Sequence, residues 1–212
     1  MASEVLIRPY EPQDRQDVRQ ICCDTADRGE PVENFFSDRE LVADLVTRYH
    51  TDFEPESSWV AEADRRVVGY LTGCLDTRQW RRVMLGRIAP GALARAVGRG
   101  VLGRADTWRL LAKAAGSQCR WRPTGNLHVL DRFPAHVHIN VRREFRGQRI
   151  GQELMERFVA RVKERALPGL HARVSSTNAG GRRFFESMGF AALNDYGTTG
   201  SYTVIYGRDV GN

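Results

Sequence analysis

The sequence predicts a mixed α/β (α+β) fold, a central sheet covered by helices. Period-two and helical apolar patterns alternate along most of the 212 residues, and they do so in the order β-α-α-β-β and then, after a helical stretch, β-α-β-α-β. No internal repeat underlies that order. Apolar residues at 42% and charged residues at 27% exclude a disordered chain, a collagen-like repeat and a coiled coil. A chain of 24.0 kDa buries roughly 70% of its unfolded surface, so neither disulfide nor metal is needed to hold a core. One domain over residues 1–212 is expected, with residues 76–130 as an insertion within it.

Each element has a local cause. Glu4 to Tyr10 reads as a strand, and Pro12 and Asp14 open a helix carrying Val18, Ile21 and Cys22 at helical spacing. Ser37-Asp-Arg-Glu40 reads as a capping box ahead of the stripe Leu41, Val42, Leu45, Val46 and Tyr49. Ser58 to Ala63 and Val67 to Leu71, joined at Asp64-Arg65, form a hairpin. Beyond Leu75 the chain predicts two or three amphipathic helices, broken at Pro90-Gly91, Gly98-Arg-Gly100, Gly103 and Pro123-Thr-Gly125. Trp80, Trp108 and Trp121 read there as packing residues.

Pro134 to Val141 alternates as the fourth strand. Ile150, Leu154, Met155, Phe158, Val159 and Val162 mark a long helix ended by Pro168-Gly169. Leu170 to Ser175 is a further strand, and Asn178 caps a helix that closes at Gly189. Ala191 to Asp195 and Tyr202 to Arg208 supply the last two strands.

The net charge of +6 is unevenly spread. Residues 76–130 hold ten Arg and one Lys against Asp76 and Asp106, a balance of +9, which leaves −3 for the remainder. That segment has three readings: a packed insertion with solvated arginines, a positive lid over a cleft, or a basic arm for a partner. Cys22, Cys23, Cys74 and Cys119 match no metal-ligand spacing and read as reduced thiols, so no metal is expected. No apolar run is long enough to span a membrane and the start lacks a secretory signal, so a cytoplasmic protein is expected.

The chemistry concentrates between Val141 and Met155. A strand that enters a Gly-containing loop and then opens a long helix leaves backbone N–H groups unpaired beside the positive end of the helix dipole. That arrangement binds anions. The spacing fits neither a P-loop nor the dinucleotide fingerprint.

Arg146-Gly-Gln-Arg-Ile-Gly151, followed by Asn178, the helix Arg182-Arg-Phe-Phe-Glu-Ser and Met188-Gly189-Phe190, resembles the acetyl-CoA site of the GNAT superfamily of N-acetyltransferases. The resemblance covers about residues 3–75 and 131–208. Phe133 to Val141 is similar to the acetyltransferase-like domains related to those of O-GlcNAcases. The resemblance implies a mostly antiparallel sheet and transfer of acetyl from acetyl-CoA to a primary amine by direct attack. It also implies that Ile139 and Val141 pair with the pantetheine arm, that Arg146, Gly147, Gln148, Arg149, Ile150 and Gly151 wrap the pyrophosphate, and that Asn178 lies near the pantetheine. Two positions depart from the pattern. Arg149 stands where glycine is usual and is accommodated if its φ is negative, and Phe185 stands where many members carry a tyrosine that protonates the leaving thiolate.

Period-two alternation puts His136, His138 and Asn140 on one strand face, and an imidazole has the pKa to take a proton from the attacking amine. Either histidine could equally bond a neighbour in a half-buried sheet. Glu62 is the alternative base, and Tyr196, Tyr202 and Ser187 are candidate acids in place of Phe185. The expected partner is a small-molecule or peptide amine, not nucleic acid, and a homodimer is compatible with the sequence. Two other functions remain open: a CoA-binding module without turnover, and an interaction protein acting through its basic segment.

Overall fold

The computed structural model describes residues 4–109, 127–193 and 203–211. These residues build a seven-stranded sheet from β1 (Val5–Pro9), β2 (Ser58–Ala63), β3 (Arg66–Cys74), β4 (Ala135–Val141), β5 (Gly169–Ser175), β6 (Ala191–Ala192) and β7 (Thr203–Asp209). The spatial order is β1-β2-β3-β4-β5-β7-β6. Only β4 and β5 run parallel; the other neighbours are antiparallel. The hairpin turn at Asp64 and Arg65 has positive φ at both residues, the twist a two-residue connection requires.

Helices α1 (Arg15–Asp24), α2 (Arg39–Asp52), α3 (Thr77–Val83), α4 (Ala89–Gly98), α5 (Leu127–Arg132), α6 (Ile150–Glu164) and α7 (Ala179–Ser187) flank it. One face packs on α6, where Leu154, Met155 and Phe158 meet Leu71, Val137, Ala172 and Val174. The helix approaches so closely that a Cβ at Gly73 would collide with the Phe158 ring. The opposite face packs on α1 through Val18, Ile21 and Cys22 against Val60 and Tyr70. On that face α2 contributes Tyr49, which packs with Cys74, Met84 and Ile88.

Three sequence expectations are corrected. Ser37 does not cap α2: Asp38 does, accepting from the Leu41 amide at 3.0 Å, while the Ser37 amide donates to Asp106. Pro90-Gly91 does not break the insertion, because Pro90 lies in the first turn of α4, where its missing N–H costs nothing; a five-residue π turn, Met84–Ile88, joins α3 to α4. Trp108 is 59% exposed rather than packed, its Nε1 donating to Leu102 O at 2.9 Å. The expected strand over Ala191 to Asp195 is described only as far as Leu193, and Cys119, Trp121 and the punctuation at Pro123-Thr-Gly125 lie outside the described residues. Cys22, Cys23 and Cys74 are free thiols.

The insertion is fastened to α2 by charge and by packing. Ala92 and Ala96 of α4 pack against Leu41 and Ala43, Arg95 reaches Asp44 at 2.7 Å, and Arg99 grips Asp38 through both Nε and Nη2. Asp38 therefore serves as helix cap and ion-pair partner at once. Asp38→Ala is expected to lower unfolding free energy by about 2 kcal/mol, combining a lost cap and a lost charge-assisted bond. Asp38→Asn, which can still cap, is expected to lose about half of that in urea denaturation. Equal losses in the two variants would exclude the latch.

Candidate active site

The sheet splits along its middle. β4 and β5 pair only at Ala135 with Leu170 and His136 with His171, whereas β5 pairs with β7 over its whole length. From Val137 onward the β5 side of β4 is open. The Arg142 amide donates to Val68 O at 2.8 Å, which fixes the phase of the β3–β4 ladder. By alternation His138 and Asn140 spend their backbone groups on β3, and Ile139 and Val141 turn theirs into the gap. The predicted Ile139 and Val141 thus present free backbone to an extended ligand, except that Val141 O accepts from Arg146 Nε at 3.0 Å.

The gap leads into the turn between β4 and α6. The amides of Gly147, Gln148, Arg149, Ile150 and Gly151 meet no protein acceptor among the described residues, while Arg146 donates its own amide to Arg143 O. Gly147 has φ +80 with open space around it. Arg149 adopts φ +63, so the condition of a negative φ is not met: the position is left-handed, as the family's usual glycine would be, and Arg149 carries a backbone strain of about 1–2 kcal/mol. The Arg146 guanidinium lies against Gly29, where a Cβ would come within 2.8 Å of Nη1. Asn178 caps α7 through Oδ1, at 2.9 Å from the Gly181 amide.

Across the sheet from α6, His136 and His138 share a face as predicted, and the structure separates their circumstances. His136 is buried, and its Nδ1 donates to Thr77 Oγ1 at 2.7 Å, the hydroxyl proton going to Pro134 O. Trp80 packs edge-on at 5.1 Å and His171 lies at 5.6 Å. Burial, with the neighbouring histidines and Arg173, holds its pKa well below the usual value. His138 is open to solvent. Desolvation by the surrounding protein, and then Arg173, lower its pKa from 6.5 and keep the ring neutral at pH 7. Asn140 donates to the buried Tyr70 hydroxyl at 2.9 Å.

Four residues that sequence reasoning passed over complete the surroundings. His50 of α2 sits 5.6 Å from His136 and 6.4 Å from His138 with Nδ1 donating to Gly73 O, and His171 donates to Phe133 O. Phe184 closes against Gly151, where a Cβ would meet its ring at 3.1 Å. Arg173 stands on β5, exposed. None of the four had a readable signal in the sequence, since Arg173 joins the face of His136 and His138 only through the β4–β5 register.

The alternative groups sit elsewhere. Glu62 lies on β2 with β3 between it and β4, and Arg8 holds it at 2.8 Å. Ser187 donates to Phe184 O at the end of α7, beside a groove of about 810 Å³ that runs along α6 on the far side of the sheet from His138. Phe185 is buried against Phe184, Phe190 and Tyr206, and the Tyr206 hydroxyl donates to Glu186. Tyr196 and Tyr202 lie outside the described residues.

Burial lowers the pKa of His50 to about 3 and that of His171 to about 4. In the unfolded chain both return to about 6.5. Below that pH the unfolded state binds protons that the native state refuses, so stability is full above 6.5 and falls as pH drops toward 4. At pH 5 the loss is roughly 2 kcal/mol for each histidine. Urea midpoints are expected to fall between pH 7 and pH 5, and His50→Gln is expected to flatten the slope; a pH-independent midpoint would contradict the buried neutral state.

Comparison with known proteins agrees with this geometry. SsHAT superposes with a TM-score of 0.76 at 23% identity over 99% of this chain and 100% of its own. PH1933 from Pyrococcus horikoshii OT3 gives 0.60 at 14% identity, covering 97% and 98%. Ard1 from Thermoplasma volcanium gives 0.55 at 19%, covering 98% and 99%. These likenesses concern the fold. Residues 29–190 match the family model described as "Acetyltransferase (GNAT) family", and the chain belongs to that family of acetyl-CoA-dependent acetyltransferases.

Proposed function

We propose that the protein transfers acetyl from acetyl-CoA directly to a primary amine, with His138 as the general base. The observation that carries this reading is continuity. The open edge of β4, with Ile139 and Val141, runs into a turn of unpaired amides on one side, and His138 is exposed to solvent on the other face of the sheet from α6. An extended, amide-containing pantetheine can pair with a strand edge, and a pyrophosphate fits clustered amides at a helix start. Gly147, Gln148, Arg149, Ile150 and Gly151 would hold the diphosphate, with Arg146 bracing the turn, and the Asn178 amide nitrogen would face the arm.

In the reaction the amine nitrogen bonds to the thioester carbonyl carbon, the C–S bond breaks, and its electron pair leaves on sulfur. His138 accepts the amine proton. A backbone amide at the edge of β4 donates to the developing oxyanion. Phe185 supplies no proton, and with a thiol pKa near ~8.5 departure as thiolate costs about 2 kcal/mol at neutral pH. His136 is a buried neighbour that packs behind His138 rather than a second base. The same reading takes residues 1–212 as one catalytic unit with the 76–130 segment as a wall of the acceptor side, since the Thr77 amide donates to Pro134 O where β4 begins. Phe185, together with the strained Arg149, favours one competitor, a CoA-binding module without turnover.

Calorimetry with acetyl-CoA and thiol release across an amine panel separate the two, since binding with no release would select the module. His138→Ala is expected to lower turnover by about 10²-fold at pH 7. The loss should be smaller at pH 9, where more amine is already free. Equal losses at both pH values would remove His138 from the role of base.

A further inference from the structure

Arg173 is the charge beside His138 that the reaction above leaves unexplained. Its β5 position is two residues beyond His171, and His171 is the register partner of His136, so Arg173 shares the face of His136 and His138. Just there β4 and β5 have parted, and the side chain stands exposed over the gap. Among the described residues no carboxylate pairs with it, and its positive charge acts on His136, His138 and His171 together. Other arginines around this half of the molecule are engaged: Arg95 with Asp44, Arg99 with Asp38, Arg142 with Asp24. Burial lowers even the guanidinium's own pKa, which marks a partly desolvated cation without compensation.

A cation that has no carboxylate partner among the described residues, and that acts on three imidazoles, weakens the folded state. A bound anion would relieve it. Building on the acetyltransferase reading, we propose that Arg173 is a specificity residue of the acceptor site: it holds a carboxylate or phosphate of the acceptor, whose amine nitrogen then faces His138. The planar guanidinium suits either group through two parallel hydrogen bonds. Cationic acceptors such as polyamines are repelled by the same charge.

The test uses matched amines that differ by one anionic group: amino acids against their amides, and phosphoethanolamine against ethanolamine. Thiol release should show kcat/KM at least about tenfold higher for the anionic member, the scale of one charge-assisted bond. Arg173→Gln should abolish that preference through KM, and Arg173→Lys should restore part of it. A comparison of the carboxylate and phosphate pairs tells which anion is preferred. Neutral and anionic amines used equally by the wild type, or one common loss of kcat on all amines in Arg173→Gln, would overturn the proposal, the second outcome assigning Arg173 to the reacting atoms instead.

A second readout needs no turnover. Acetate or inorganic phosphate bound at Arg173 offsets its charge, so the His138 NMR titration midpoint should rise on adding the anion to wild type and stay fixed in Arg173→Gln. Absence of that rise in the wild type overturns the proposal. Failure of acetyl-CoA to bind, with the anion response intact, would sink the acetyltransferase reading alone.

Discussion

The parting of β4 from β5 after a two-residue parallel ladder is the constraint on which the rest of the molecule depends. A closed ladder would consume the backbone groups of Ile139 and Val141, and buried groups of that kind are otherwise nearly always paired. The sheet tolerates the gap because each strand has a full partner on its other side: β3 pairs β4 through six residues and β7 pairs β5 through seven. The two halves of the sheet are held independently, and the α6 core spans them from one side through Val137, Ala172 and Val174. Backbone donors are therefore left free at the centre of a rigid structure, where presenting them to a ligand needs little reorganisation.

Electrostatics on the opposite face follows from the same gap. His50, His136 and His171 are held neutral by burial, and each spends its Nδ1 proton on a fixed oxygen, so none competes for charge with its neighbour. His138 differs only in standing where the strands have separated, which gives it access to solvent while the surrounding protein still disfavours its protonation. A base for an amine needs that combination: reachable, and unprotonated at the working pH. Burying the others has a stability cost below pH 6.5 that the fold accepts in order to keep the row of rings packed behind His138.

The sheet, the long helix α6 and the Gly-containing turn that opens it were legible because each is written in local spacing. Alternation over Ala135–Val141 and the helical stripe from Ile150 to Val162 need no knowledge of distant residues. What failed depended on partners far along the chain. Asp38 displaced Ser37 as cap in company with Arg99, 61 positions away. The choice between His136 and His138 rests on Thr77 and Trp80, which the insertion delivers from more than fifty residues upstream. Arg149 could have been read the other way, since a glycine pattern at a helix entry implies a left-handed backbone whatever residue occupies it. Arg173 needed the β4–β5 register, which periodicity on one strand cannot supply.

The +9 segment shows how a charge imbalance in sequence becomes position in space. Burial pushes the Asp44 carboxyl up, but hydrogen bonds from Arg95 and Arg19 outweigh it and leave the group below the usual carboxylate range. A carboxylate that deep requires two cations, one from α1 and one from the insertion. Arg99 on Asp38 and Arg78 on Asp131 fasten the segment at further points. The arginines that suggested a basic arm for a partner are, at these positions, already matched to the acidic side of α2 and to α5. With α4 fixed on α2 and the π turn joining it to α3, Thr77 and Trp80 are carried to His136, and the orientation of that ring sets the wall behind His138. The basic stretch thus acts on the site through placement, with Arg78, Arg95 and Arg99 already spent on carboxylates; the cation beside His138 is Arg173, which the sheet itself contributes.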